Sequence, residues 1–187
     1  EMARKAKKAG FDVIEIGAGD LLKMSDAQLA ELRTVAKELG LEISANLGPP
    51  KDKDVSSADP DIRRAGVQFL VDIMHQMVKI DCNTLIGALY NCWPYDFKDL
   101  DKDALWDRAV KGMQEVGDEA DRLGITICLE ILNRFETILL TDCEEGVRFC
   151  KDVNRDSVKL LLDTFHMNIE EDDLPAAIRR AGDLLAH

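Results

Sequence analysis

Glu130 stands near the end of the run ITICLEIL and Asp163 closes SVKLLLD, each a single carboxylate toward the end of a largely apolar stretch. A strand needs neither residue in order to form. Two carboxylates brought side by side repel unless a cation or a shared proton lies between them. Oxygen donors of this kind suit Mg2+ or Mn2+, and an added imidazole moves the preference toward Mn2+ or another transition metal. An imidazole is at hand: His166 follows Asp163 by three residues in LLLDTFHMNIEE, and Glu136 follows Glu130 by six in LEILNRFE.

A plainer reading stands beside this one. Glu130 can pair with Arg134, Asp163 can cap the next turn, Glu136 can be a solvated loop residue and His166 a satisfied structural histidine. Spacing alone leaves both readings open. In ALYNCWPYD, Tyr90 and Trp93 either wall a sugar or ring site or fill the core. His75 lies mid-helix in VDIMHQMVK and takes a structural role, and His187 has too little context to read. The EEDD run at 170–173 reads as a solvated helix start favoured by the helix dipole.

The elements that must position these groups alternate along the chain. FDVIEI, LEISANL, CNTLIGALY, ITICLEIL and SVKLLLD read as strands. Helices are expected over 25–40, 61–81, 101–124, 141–154 and 172–186, with Ser25 as an N-cap and Gly40 and Gly124 as stops. The residues before the first strand read as the end of a helix, and the proline-bearing stretch 48–60 as a loop. Strand–helix alternation at this spacing means βαβ units and a parallel sheet.

Within ITICLEIL, Ile125, Ile127, Leu129 and Ile131 share one face while Thr126, Cys128 and Glu130 share the other. An apolar outer face under helices and an inner face ending in a carboxylate suit a (β/α)8 barrel, whose chemistry sits at the strand C-termini. No phosphate-cradling glycine loop follows a strand, which counts against a doubly wound nucleotide-binding fold. A complete barrel takes roughly 250 residues. The 187 residues here are therefore expected to be a single domain, 1–187, forming a partial TIM barrel. Its strands correspond to the second through sixth, as a fragment lacking the first strand and the last two.

Composition narrows the function. Apolar residues make up 46% and charged residues 32%, a globular balance, and the formal charge of −12 argues against nucleic acid or an anionic membrane as partner. No apolar run approaches the ~20 residues of a membrane span. Five cysteines, odd in number and with no CxxC pair, read as reduced thiols of a cytoplasmic protein.

CLEILNRFET and LLLDTFHMNIEEDD…AAIRRAG, with GALYNCWPYD and FDVIEIG before them, resemble the ketose 3-epimerases. This is the D-tagatose 3-epimerase and D-psicose (D-allulose) 3-epimerase family within the xylose-isomerase-like barrels, and the resemblance runs in order along the whole chain. It implies an isomerase: metal-dependent C3 epimerisation of free ketohexoses, such as D-fructose to D-psicose and D-tagatose to D-sorbose, by carboxylate-mediated proton exchange through an enediolate. By matched position, Glu130 is implied as metal ligand and acid/base, and Asp163 as a second ligand. Glu136 and His166 are implied to hold hydroxyls around O1 to O3, Trp93 and Ala88 to wall the pocket, and Gly48 in LGPP to sit on a loop close by.

The implied cofactor is a divalent metal, Mn2+ first with Co2+ or Mg2+ as alternatives, and no nicotinamide or flavin. The implied assembly is a homo-oligomer, dimer or tetramer, when full length. The family's remaining His and Glu ligands and a substrate-binding Arg are expected beyond residue 187, so the 187 residues alone are expected to be inactive. Within the same superfamily, an aldose–ketose isomerase or another sugar epimerase is the alternative, and a non-catalytic sugar- or metal-binding relative is a third.

Overall fold

The computed structural model describes residues 1–187 throughout. Five parallel strands form one sheet in strictly sequential order: β1 (Val13–Gly17), β2 (Glu42–Asn46), β3 (Thr84–Gly87), β4 (Thr126–Ile131) and β5 (Val158–Leu162). A doubly wound sheet reverses its strand order at a switch point. This order never reverses, so every crossover leads one way around and the sheet is a segment of a barrel wall. Residues 185–187 continue it: Leu185 bridges Leu160 in parallel, and the Leu162 N–H donates to the His187 carbonyl at 3.2 Å.

The helices are α1 (Met2–Lys8), α2 (Ala18–Leu21), α3 (Asp26–Leu39), α4 (Pro60–Lys79), α5 (Lys102–Leu123), α6 (Cys143–Val153), α7 (Thr164–Glu170) and α8 (Leu174–Ala181). Local chemistry sets their ends. Ser25 and Gln28 close a reciprocal capping box on α3. Gly40 and Gly124, at φ 59° and 69°, stop α3 and α5 in the left-handed region that glycine tolerates best. No helix is long and apolar enough to cross a membrane.

Alternation along the strands divides the sheet into two faces. Outward residues such as Ile43, Ala45, Leu85, Ile127, Leu129 and Leu160 pack under the helices in a core of 43 buried residues. Inward residues Ile86, Cys128 and Leu161 make a separate cluster of three, the barrel-interior side. The register aligns Ile86 with Cys128 and Leu161 with Glu130, so the inward row above this cluster is where Glu130 emerges.

Three expectations are corrected. The third strand stops at Gly87, not at residue 90, because the chain turns there with φ +130°; a Cβ would lie 2.0 Å from the Leu47 carbonyl oxygen, so only glycine fits this close approach. The stretch after Asp163, where the sequence predicts no helix before residue 172, forms α7, because the Asp163 side chain accepts the Phe165 N–H at 2.8 Å and starts a helix immediately. The last helix ends at Ala181, not at 186, because the chain after Gly182 turns back to pair with β5.

Candidate active site

Every candidate site residue except Tyr90 lines one cavity at the C-terminal ends of the strands. Glu130, Asp163, Glu136, His166, Trp93, Ala88 and Gly48 border a space of about 590 Å³. Glu15, Asn46 and His187 border it as well, and sequence reasoning had not singled them out. Glu15 had one legible signal, a lone acid between Ile14 and Ile16 on an inward strand position. The Asn46 signal is the same, an amide on the inward row at the end of β2, where its Nδ2–H donates to the Glu15 carboxylate.

The strands place the acids and the core holds the strands. Tyr90, suggested as a pocket wall, is instead fully buried against Phe149, with ring centroids 6.2 Å apart. Its hydroxyl donates to the Glu130 carbonyl oxygen at 3.0 Å, which fixes the end of β4 from behind. Trp93 does reach the cavity. Its main-chain N–H donates to the Pro49 carbonyl at 2.8 Å, and its side chain lies so close over Gly48 that a Cβ there would meet the Trp93 Cβ at 2.9 Å and the ring at 3.0 Å. The indole Nε1–H donates to Glu136 Oε2 at 3.0 Å, and the Asn133 amide donates to Glu136 Oε1 at 2.8 Å. Both oxygens of Glu136 are therefore aimed by neighbours.

Glu130, Asp163 and His166 converge, with one potential ligand atom from each lying within 4.8 Å of the others. His166 is buried, and its Nε2 lies 3.6 Å from Glu130 Oε1, beyond a hydrogen bond. Glu130 does not pair with Arg134, whose guanidinium is committed to Glu170 with Nη2–Oε2 at 2.6 Å. The capping reading of Asp163 is correct, and it is compatible with a ligand role because a carboxylate carries a second oxygen.

The electrostatics follow from this inventory. Four carboxylates and two imidazoles line the cavity, with no lysine or arginine among its 17 lining residues. Burial, and then the negative charges of Asp163, Glu136 and Glu15, push the Glu130 carboxyl up to about 7. A divalent cation is the counter-charge this donor set fits: two hard oxygen donors and an adjacent imidazole around unneutralised negative charge.

His75 meets the expectation of a structural role, pairing with Glu119 at 2.8 Å on the helical layer. The EEDD expectation is corrected in half. Glu170 and Glu171 are not solvated, with side chains only 6% and 8% exposed, because Arg134 and the Cys143 N–H claim them. Asp173 alone caps α8.

The fold and the site together define a segment of a (β/α)8 barrel with acids presented at the strand ends. The family model of the xylose isomerase-like TIM barrel matches residues 3–187, and the chain belongs to that family. It is 46% identical to a D-psicose 3-epimerase of Agrobacterium fabrum over 184 residues, which are 98% of this chain and 64% of that protein. A D-psicose 3-epimerase of Ruminiclostridium cellulolyticum is 44% identical, over 98% of this chain and 63% of its own length.

A crystal structure of a D-psicose 3-epimerase in the presence of D-fructose superposes with a TM-score of 0.97 at 45% identity, covering all of this chain and 65% of the other. One from Clostridium cellulolyticum H10 with D-tagatose gives 0.98 at 43% identity, with the same coverage. The chain thus spans less than two thirds of the length of these relatives.

Proposed function

We propose that the full-length protein containing this chain is an isomerase that epimerises free ketoses at C3, with Glu130 as one of its acid/base groups. The observation that carries this reading is the cavity at the strand ends, where Glu130, Asp163 and His166 converge with Glu136 beside them. Such a wall, with a cation held between Glu130 and Asp163, offers acceptors and a donor to the hydroxyls of a polyhydroxylated ligand. Relatives with 43% and 45% identity have been crystallised with D-tagatose and in the presence of D-fructose, which supports the same substrate class.

Epimerisation removes the C3 proton, acidified by the neighbouring C2 carbonyl, and returns a proton to the opposite face. Glu130 is the group for one of these transfers: it stands at a strand end, partly buried, and its carboxyl is raised to a range where it exchanges protons near neutral pH. Glu130 and Asp163 would hold a divalent cation, Mn2+ first by the presence of the nearby imidazole; when bound, it supplies charge stabilisation to the oxygens of the reacting carbonyl. Glu136, aimed by Trp93 and Asn133, accepts from a sugar hydroxyl, and His166 binds a second one. Ala88, Gly48 and the Trp93 ring shape the wall. Holding the ring-opened sugar in one orientation lowers the barrier in its own right.

Five buried, unpaired thiols fit a reducing compartment, and we place the protein in the cytoplasm. Assembly as a homo-oligomer belongs to the same reading. Phe135, on the loop after β4, and Phe165, in the first turn of α7, are exposed beside the site and are apolar surface that such an assembly would cover.

The test is the product. The full-length protein with Mn2+ should convert D-fructose, D-tagatose or L-ribulose to the C3 epimer, and in D2O the product should carry deuterium at C3. Formation of an aldose would point to an aldose–ketose isomerase, and no turnover of any ketose would leave a binding protein.

A further inference from the structure

Asn133 lies in the loop after β4, is 2% exposed, and touches two of the candidate site residues at once. Its amide orientation is not free. The Phe135 main-chain N–H lies 2.9 Å from Asn133 Oδ1. A backbone N–H can only donate, so the atom facing it must be the amide oxygen. The two N–H groups of the side chain are then left for the other neighbours: Glu136 Oε1 at 2.8 Å and His166 Nδ1 at 2.8 Å. An amide N–H facing an imidazole nitrogen requires that nitrogen to offer its lone pair. The neutral ring of His166 then carries its proton on Nε2, the nitrogen 3.6 Å from Glu130 Oε1.

We propose that Asn133 is a positioning residue: its amide, locked by the Phe135 N–H, fixes His166 in the Nε2–H tautomer, so that this imidazole serves the site as a hydrogen-bond donor and not as a metal ligand. The inference rests on the epimerase reading only for its consequence in turnover; the tautomer itself follows from the three hydrogen-bonding partners of Asn133. Ligation of a cation through Nε2 would need the proton to move to Nδ1, where it would face the Asn133 N–H. Ligation through Nδ1 would displace Asn133 outright. Asn133 also aims the carboxylate of Glu136, so one buried amide sets the donor and the acceptor offered to neighbouring sugar hydroxyls.

The decisive experiment is 15N NMR of the full-length protein with labelled histidine imidazoles, metal-free and then loaded with Mg2+, the His166 signals being assigned by their loss in His166→Gln. In both states Nδ1 should appear as the unprotonated nitrogen and Nε2 as the protonated one. A protonated Nδ1 in the wild-type protein overturns the inference, whether or not a ketose is turned over. Asn133→Asp keeps an acceptor for the Phe135 N–H but places an acceptor opposite Nδ1, and should draw a proton there.

In turnover, that variant should lose about 10²–10³ in kcat, the cost of misdirecting one donor at the reacting centre. If Asn133→Asp fails to fold, the wild-type spectrum still decides. Mn2+ titration supplies the second arm. His166→Ala should bind the ion with unchanged stoichiometry and affinity, and loss of the ion would show His166 to be a ligand and sink the proposal. An unprotonated Nδ1 in a protein that turns over no ketose would uphold the tautomer and remove the epimerase reading instead.

Discussion

Glu130 and Glu170 are the same residue type on neighbouring βα units of one barrel rim, and the fold treats them in opposite ways. Glu170 ends α7 facing Arg134, which clamps it with three charge-assisted hydrogen bonds and a fourth from the main-chain N–H. Its carboxyl is accordingly held below the usual range, chiefly by the hydrogen bonds to Arg134. Glu130 ends β4 facing Asp163, Glu136 and Glu15, and its carboxyl is raised to about 7, first by burial and then by those charges. Glu170 ties α7, which carries His166, to the loop after β4, which carries Glu136. No lysine or arginine of these 187 residues faces Glu130 in the cavity, so its charge is offset by no side chain present here.

Removing each acid separates the two cases, and the largest difference should be in turnover. Glu130→Gln in the full-length protein should lower ketose epimerisation by about 10²–10⁴, the usual contribution of a general acid/base, with the circular dichroism spectrum unchanged. Asp163→Asn should reduce bound Mn2+ as measured by elemental analysis. Activity within tenfold of wild type in Glu130→Gln would put Glu130 on the same structural footing as Glu170.

A smaller effect is expected where the site acids are aimed. Trp93→Phe keeps a ring over Gly48 but removes the Nε1–H donor to Glu136, and should raise KM about fivefold, one ordinary hydrogen bond, with little change in kcat. An unchanged KM would mean that Asn133 alone positions that carboxylate.

Glu170→Ala should reverse the pattern, with Tm falling about 2–4 °C in thermal melts and kcat affected less than by any change at Glu130. If kcat collapses while Tm holds, Glu170 belongs with the chemistry.

The smallest effect is in pH. The folded Glu130 carboxyl lies above its ordinary value of 4.5, so the folded state binds the proton more tightly than the unfolded chain does. Its contribution is fully present below 4.5 and is lost as pH rises toward 7. Glu170, depressed in the folded state, contributes in the opposite sense: its stabilisation is present above 4.5 and fades as pH falls. Chelated wild-type protein should therefore lose stability across pH 4.5–7 relative to Glu130→Gln, as read from parallel melts. Parallel curves for the two proteins would mean that solvent reaches Glu130 more freely than its burial indicates.

Much of this arrangement could be read in the sequence. The five strands, their apolar outer face and the two strand-ending acids follow from periodicity of two against 3.6, a local property that survives without any tertiary contact. Ser25 and Gly40 bounded their helix because caps are chemistry within one turn. The site residues suggested by family resemblance all face one cavity, since strand parity and a short loop offset fix where each side chain emerges.

What the sequence could not decide were choices between equally near partners. Arg134 is four residues from Glu130 and distant in sequence from Glu170, yet it pairs with Glu170, because the ends of β4 and β5 lie side by side in the sheet. Tyr90 went to the core and Trp93 to the cavity because the chain turns at Gly87 and again beside Pro49. Asn133 looked like an ordinary loop amide until folding put the Phe135 N–H, Glu136 and His166 around it. Period, caps and strand ends are set by neighbours along the chain; charge pairing and hydrogen-bond direction are set by neighbours in space, and only the folded barrel wall brings those together.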